Sequence, residues 1–457
     1  MQLPETFLRS LNGLPGFDEA EFMEAHENSI APTSIRINPA KIKDEELVFQ
    51  NISANHVPWS SYGYYLSERP SFTLDPLFHA GAYYVQEASS MFLEQALKQS
   101  VDLNKPIKVL DLCAAPGGKS TLIQSLISKE SLLVSNELIK QRVNILTENI
   151  IKWSAENVLV TNNNAKDFQR LQNFFDVIIV DAPCSGSGLF RKDPKAIEEW
   201  SLQNVLVCSQ RQQQILKDVL PALKPAGVLI YSTCSYAEAE DEAIADFLIE
   251  SENIESLQLK IESNWDIIES RSAKHQSFGY RFYPDKIKGE GFFISVFKNK
   301  EEEEQEVYFR AKKKLPAILK KEMDVLQNMA EVTENDFLFK WNERIFITNK
   351  MASEVLPLLL KNLYIKNAGI ELGEVIRNDF IPAHALAVSF YVSPLVRKIE
   401  CEKEFVLEYL RRRTINIPGE DQGWALITYK KIGIGWIKVL KNRVNNYYPN
   451  GWRILNS

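Results

Sequence analysis

Between positions 108 and 300, short apolar runs alternate with longer stretches whose apolar residues recur every three or four positions. Lys108-Val109-Leu110-Asp111-Leu112, Leu132-Leu133-Val134-Ser135-Asn136-Glu137 and Val158-Leu159-Val160-Thr161 have the length and β-branched content of buried strands. Val177-Ile178-Ile179-Val180 and Val228-Leu229-Ile230-Tyr231 repeat the pattern, and Phe292 to Phe297 supplies an expected edge strand. The stretches between them, from about Ser120, Ile139 to Lys152, Gln203 to Leu223 and Ala239 to Ile249, have helical spacing. Strands separated by helices predict a parallel, doubly wound Rossmann-like sheet.

The flanks read differently. Residues 1–95 form a separate unit of mixed α+β character, ahead of the α/β core at 96–300. The charge run Glu301 to Glu304 and Lys312 to Lys314 marks a boundary, residues 301–390 read as linker and mixed α/β, and 391–457 as short strands punctuated by Gly and Pro. A chain of 457 residues supports two to four domains. No apolar stretch is long enough to span a bilayer, and the amino terminus lacks the basic-then-apolar layout of a secretory signal. Five scattered cysteines fit a reducing cytoplasm, and five histidines with no Cys-x-x-Cys argue against a metal site.

Net charge is −7, but the residues from Arg397 onward carry twelve Lys or Arg against six Asp or Glu, which makes the tail +6 and the remainder −13. Trp424, Tyr429, Trp436, Tyr447, Tyr448 and Trp452 are interleaved with those charges. Positive charge for phosphates and flat rings for bases suit RNA. The rings are expected to be largely structural and the charges partly functional.

Candidate chemistry lies in the turns that follow the strands. Asp111-Leu112-Cys113-Ala114-Ala115-Pro116-Gly117-Gly118-Lys119-Ser120-Thr121 ends like a phosphate-binding loop, yet Cys113 stands where that motif needs glycine, and Pro116 removes a backbone donor. Gly-x-Gly-x-x-Gly is absent too, so a nucleotide hydrolase is disfavoured. S-adenosylmethionine suits the turn better, since small residues admit the cofactor and Glu137, ending the second strand, can hold a ribose diol. Two cysteines then follow two strands, in Asp181-Ala182-Pro183-Cys184-Ser185-Gly186 and Ser232-Thr233-Cys234-Ser235. Open α/β sheets bind ligands at that edge. A methyl donor beside paired thiols suggests pyrimidine C5 methylation: carbon 5 is a poor nucleophile until a thiolate adds at C6. Asp181 can then stabilise charge near N3, and a base must remove the C5 proton.

Together these segments resemble the NOL1/NOP2/Sun family of RNA cytosine-C5 methyltransferases. Ser34-Ile35-Arg36-Ile37-Asn38-Pro39, Gln86-Glu87-Ala88-Ser89-Ser90 and Gly289-Glu290-Gly291-Phe292-Phe293 extend the likeness. The tail, with Gly435-Trp436-Ile437-Lys438 and Asn445-Asn446-Tyr447-Tyr448-Pro449, looks like the PUA-like end of bacterial small-subunit rRNA methyltransferases of the F type. The resemblance implies a class I methyltransferase core between two RNA-binding units, acting as a monomer on ribosomal RNA of the small subunit. It makes Cys234 the nucleophile and Cys184 the residue that assists breakdown of the adduct, with Asp181 and Lys119 also catalytic. Cys113, Ala114, Ala115, Pro116, Gly117, Gly118 and Lys119 would line S-adenosylmethionine, with Glu137 on the ribose, Asn164 on adenine and Asp181 close by. The chain departs from the pattern at Asn164, where the family has Asp, at Lys224-Pro225-Ala226-Gly227, where Gly-Gly is common, and at Asp285, where many members have His. A tRNA methyltransferase would share the core chemistry, and an assembly factor with lapsed catalysis would keep the basic tail.

Overall fold

A computed structural model describes residues 3–28, 30–43, 48, 54–251, 253–301, 315–334, 336–377, 379–417 and 421–455. Of the charge run read as a boundary, all but Glu301 lies outside these residues.

The centre is a ten-stranded sheet. We label its strands β1 (Lys108–Asp111), β2 (Leu132–Asn136), β3 (Val158–Thr161), β4 (Phe175–Asp181), β5 (Leu223–Thr233), β6 (Ile254–Leu257), β7 (Ile268–Arg271), β8 (Phe278–Phe282), β9 (Phe292–Asn299) and β10 (Ile365–Ala368). Their order is β7-β8-β9-β5-β4-β1-β2-β3-β10, with β6 also pairing with β9. The parallel block β3-β2-β1-β4-β5 is the one that alternation of strand and helix predicts. Helices α1 (Gly118–Leu126), α2 (Lys140–Trp153), α3 (Leu202–Val219) and α4 (Glu242–Ser251) follow β1, β2, β4 and β5.

Side chains of a strand alternate between faces, and here both faces are buried. Val109, Leu133, Val177, Ile179 and Ile230 enter one apolar layer; Leu110, Leu132, Val134, Ile178, Val180 and Leu229 enter the other. Strand β9 behaves the same way, with Phe292, Ile294 and Val296 on one side and Phe293 and Phe297 on the other. It is therefore not the edge strand expected from the sequence. It lies between β5 and β8, antiparallel to both. A strand apolar on both faces needs neighbours along both edges, and β5 and β8 supply them.

At the opposite side, β10 pairs antiparallel with β3, Ile365 facing Thr161. The helix Lys350–Asn362 that precedes it adds Leu356 and Leu359 to the central core. The segment 315–390 also builds its own four-stranded sheet. At the amino end, strands Thr33–Ile37, Ala54–His56, Gly63–Leu66 and Tyr83–Val85 make another four-stranded sheet, and Lys398–Glu400 to Arg443–Asn446 make a fourth. Among the described residues no helix is long and apolar enough to cross a membrane.

Candidate active site

Register brings the two thiols together. In the parallel pair β4 and β5, Asp181 lies opposite Ser232, so the turns carrying Cys184 and Cys234 leave the sheet side by side. The Ala182 N–H donates to the Ser232 carbonyl at 2.8 Å, and the Gly188 N–H to that of Cys234 at 2.8 Å. Any side chain at Gly188 would collide with the carbonyls of Gly291 and Cys234. The two sulfurs share a hydrogen bond at 2.9 Å, and both cysteines are free thiols. That bond to Cys234 and burial together push the Cys184 thiol well above its ordinary pKa.

The turn after β1 delivers the next groups. Gly117 sits at φ +116°, a conformation that side chains disfavour, and lets the chain enter α1. Lys119, on the first turn of α1, places Nζ 2.8 Å from Asp181 Oδ2, while Ser232 Oγ donates to Asp181 Oδ1 at 2.8 Å. Burial opposes the charge on Lys119, but Asp181 outweighs it and holds the ammonium above its usual pKa. The Phe292 ring lies 5.2 Å beneath that ammonium. Asp111, at the end of β1, is fully buried; one oxygen accepts from Ser120 at 2.6 Å and the other has no hydrogen-bond partner among the described residues. Burial pushes its pKa up to about 7. Burial also raises the Cys113 thiol, the nearby Asp181 and Asp111 carboxylates adding to it.

Glu137 follows β2 and is nearly buried; it accepts from the Ile139 N–H at 2.8 Å and lies 3.6 Å from Arg142. Arg142 in turn donates to the Ala115 carbonyl at 2.6 Å, joining Glu137 to the glycine turn. Asn136 crosses between strands, donating to the carbonyls of Leu112 and Asn163. Asn164 lies further out. It is exposed and caps the short helix Ala165–Arg170, its side-chain oxygen accepting from the Lys166 N–H at 3.2 Å, with Asp167 completing the capping box. Asp285 is buried beside Lys286, 3.1 Å away.

Three supports escape a reading of the sequence. Glu240 is fully buried between the two cysteine turns, Arg142 grips the glycine turn, and Arg281 holds the segment after Cys234 through Glu242 (Nε to Oε1, 2.6 Å) and the Tyr236 carbonyl (2.9 Å). The only advance signal for Glu240 is an acidic run, Glu238 to Glu242, set directly behind a cysteine turn.

In the tail, Trp436 and Tyr448 are fully buried while Tyr447 is exposed. The triplet at 411–413 is less uniform than its charge suggests: Arg411 and Arg413 both pair with Glu408, and Arg412 donates to the Tyr448 carbonyl. Arg412, Arg413, Asn445, Asn446 and Tyr447 line an open hollow of about 670 Å³.

A small-residue turn, buried acids after the first two strands and paired thiols beyond them define a class: an S-adenosylmethionine-dependent RNA methyltransferase. Residues 99–298 match the model of 16S rRNA methyltransferase RsmB/F, residues 3–88 the N-terminal domain of 16S rRNA methyltransferase RsmF, and residues 396–454 the methyltransferase RsmF PUA domain. The chain belongs to this RsmF-type family of rRNA methyltransferases. Ribosomal RNA small subunit methyltransferase F of Shewanella woodyi is 28% identical over 467 residues, covering 98% of this chain and 96% of its own. Its counterpart in Aeromonas salmonicida is 29% identical over 437 residues, covering 91% and 90%. A methyltransferase homolog protein from Pyrococcus horikoshii superposes with a TM-score of 0.53 at 27% identity, over 65% of this chain and all of that one. NSun6 from the same organism, 20% identical with a TM-score of 0.55, shares the fold over 65% of this chain and 99% of its own.

Proposed function

We propose that this protein methylates carbon 5 of cytosine in small-subunit ribosomal RNA, through a covalent bond between Cys234 and C6. The observation that carries this reading is the pair of reduced sulfurs 2.9 Å apart beside the Lys119–Asp181 pair and the Cys113–Gly118 turn. The residues present fit S-adenosylmethionine: the unpartnered, buried Asp111 oxygen suits a cationic group, and nearly buried Glu137 suits a diol. Cys113 to Lys119, Glu137, Asn164 and Asp181 would hold it, and when bound it supplies an electrophilic methyl group.

Cys234 attacks C6 as the thiolate. The ring electrons move toward N3, which takes a proton from the Lys119–Asp181 pair, leaving C5 an enamine carbon. Once C5 carries the methyl group its proton is removed by a base, the N3 proton returns to the pair, and the C5–C6 double bond re-forms. The Cys234–C6 bond breaks in that step, and its electron pair goes back to sulfur. Cys184, in contact with that sulfur, assists the release. The target base must leave its stack to reach these groups.

The N-terminal unit (1–95) and the C-terminal unit (391–457) position RNA around the core (96–300), and the segment 301–390 links core and tail. Exposed Arg413, Lys441, Arg443 and Tyr447 give the tail phosphate-binding charge and a stacking surface. Five free thiols suit the cytoplasm, and one chain carrying core and RNA-binding units acts as a monomer. Cys234→Ala should lose methyl transfer while cofactor binding persists; Cys184→Ala should trap protein on RNA as a shifted band on a denaturing gel. Bisulfite sequencing of ribosomal RNA from cells with and without the gene locates the cytosine. Activity retained by Cys234→Ala, or no 5-methylcytosine lost on deletion, overturns the reading.

A further inference from the structure

Glu240 is one of the few fully buried carboxylates in the protein, and it lies between the two cysteine turns. From the Cys184 side it accepts the Ser185 N–H at 2.9 Å and the Ser185 hydroxyl at 2.5 Å. From the Cys234 side it accepts the Ser235 hydroxyl at 2.6 Å. Gln212 of α3 donates to it at 3.1 Å and to the Pro183 carbonyl at 3.1 Å. The backbone of Glu240 is pinned as well, its carbonyl accepting from the Tyr231 hydroxyl at 2.6 Å. The residues that directly follow the two thiols, Ser185 and Ser235, therefore spend their hydroxyls on one carboxylate. Every group that meets those two oxygens is a donor, and a carboxylate, which only accepts, satisfies them all.

We propose that Glu240 is a positioning residue that ties the Cys184 turn to the Cys234 turn and thereby couples release of the methylated base to attack. The inference rests on the roles given to the two cysteines above. Glu240 does not touch the sulfurs; it acts through Ser185 and Ser235. Attack needs Cys234 alone, whereas release needs Cys184 held against it, so loosening the tether slows release more than attack. A misplacement of about 1 Å costs on the order of 10²-fold in rate.

The test is the time course of the covalent RNA–protein species, followed on denaturing gels with end-labelled RNA and the full-length enzyme. In Glu240→Gln an amide NH2 replaces one accepting oxygen. The release rate should fall roughly ten- to a hundredfold, the attack rate less than threefold, and adduct should accumulate, with KM for RNA and affinity for S-adenosylmethionine unchanged. Ser185→Ala and Ser235→Ala each untie one end of the tether, and both should slow release more than attack, a split that a general loss of packing does not produce. Attack and release unchanged in Glu240→Gln, or reduced in equal proportion, would overturn the inference. Should Glu240→Gln fail to fold, the two serine variants decide, and wild-type formation and decay of adduct in both overturns it. Cys234→Ala and Cys184→Ala are run beside them. If Cys234→Ala still forms adduct, the underlying reading fails; if Cys234→Ala is inert and Cys184→Ala traps, a normal Glu240→Gln sinks only the tether.

Discussion

At the scale of single residues, magnitudes separate chemistry from stability. Asp181 is one-third exposed, so its ion pair with Lys119 is worth only about 1 kcal/mol to the fold. In the proposed reaction the same carboxylate, set beside the thiols and holding an ammonium, would move a proton at the reacting ring, a role worth about 10²- to 10⁴-fold in rate. Asp181→Asn should therefore lower the single-turnover methylation rate by about two to four orders of magnitude, while the melting temperature moves only about 1 °C. Single-turnover assays and calorimetry on the same preparation check it, and wild-type turnover would remove Asp181 from the catalytic set. The grouping of Cys184, Cys234, Asp181 and Lys119 was legible in the sequence because each stands at, or a few residues beyond, the end of a strongly apolar strand. Glu240 and Arg142 were not, because their importance comes from burial against elements distant in the chain. A carboxylate among four other acidic or small residues reads as a helix start until its partners are seen.

At the scale of elements, the apolar runs predicted the parallel strands and the helices between them. The errors fell where polar residues are buried. Strand β8 alternates Phe278, Tyr280 and Phe282 with Gly279 and Arg281, and β7 carries Glu269 and Arg271, so neither is the continuous apolar run that marks the other strands, and β9 was taken for an edge. Arg281 is buried there because Asp241 and Glu242 meet it. Arg36 is the same device in the N-terminal sheet. It is buried in the strand Thr33–Ile37, donates to Gln86 Oε1 at 2.9 Å, to the Gly118 carbonyl at 3.3 Å and to Ser125 Oγ at 3.3 Å, also reaches Thr121, and stacks 4.5 Å from Trp153. One side chain thus fastens the N-terminal sheet to the start of α1, where the cofactor turn ends. Arg36→Met should destabilise the protein by about 3 kcal/mol by leaving buried acceptors without donors, and should weaken S-adenosylmethionine binding several-fold. Arg36→Lys should not rescue either loss, since a point charge cannot span acceptors that a planar guanidinium reaches together. Urea unfolding and titration calorimetry test both statements, and unchanged cofactor affinity in Arg36→Met would make the fastening irrelevant to the site.

At the scale of the whole molecule, three units meet at a junction that contains more potential cations than anions. Asn38 donates to the Gly81 and Trp153 carbonyls at 3.0 Å, and Lys41 to the Ala80 and Lys152 carbonyls at 2.7 and 2.6 Å, joining the N-terminal unit to the end of α2. Gly81, at φ +66°, lies so close to the Lys152 carbonyl that a Cβ would stand 2.0 Å from its oxygen. From the C-terminal side, the Tyr448 hydroxyl meets His79 at 3.4 Å, and the Lys152 ammonium lies over Phe78 and Trp452 and pairs with Glu148. His384 is wedged edge-on between Tyr448 and Trp452, and neither of its ring nitrogens has a hydrogen-bond partner among the described residues. Burial, reinforced by Lys152, lowers His79 to about 4; burial, with Lys152, Lys41 and His79, lowers His384 to about 3, against 6.5 for an open histidine. A histidine whose folded pKa lies below its unfolded one contributes stability that is intact above about 6.5 and is lost as pH falls toward 4 and then 3. At pH 5 each of these two should cost about 2 kcal/mol relative to pH 8. His384→Phe keeps the ring in its slot and removes the titrating nitrogens. It should match the wild type at pH 8 and exceed its stability by about 2 kcal/mol at pH 5, measured as the difference in urea midpoints at the two pH values. An acid loss in His384→Phe as large as in the wild type would place the sensitivity elsewhere and remove His384 from the acid response of this junction.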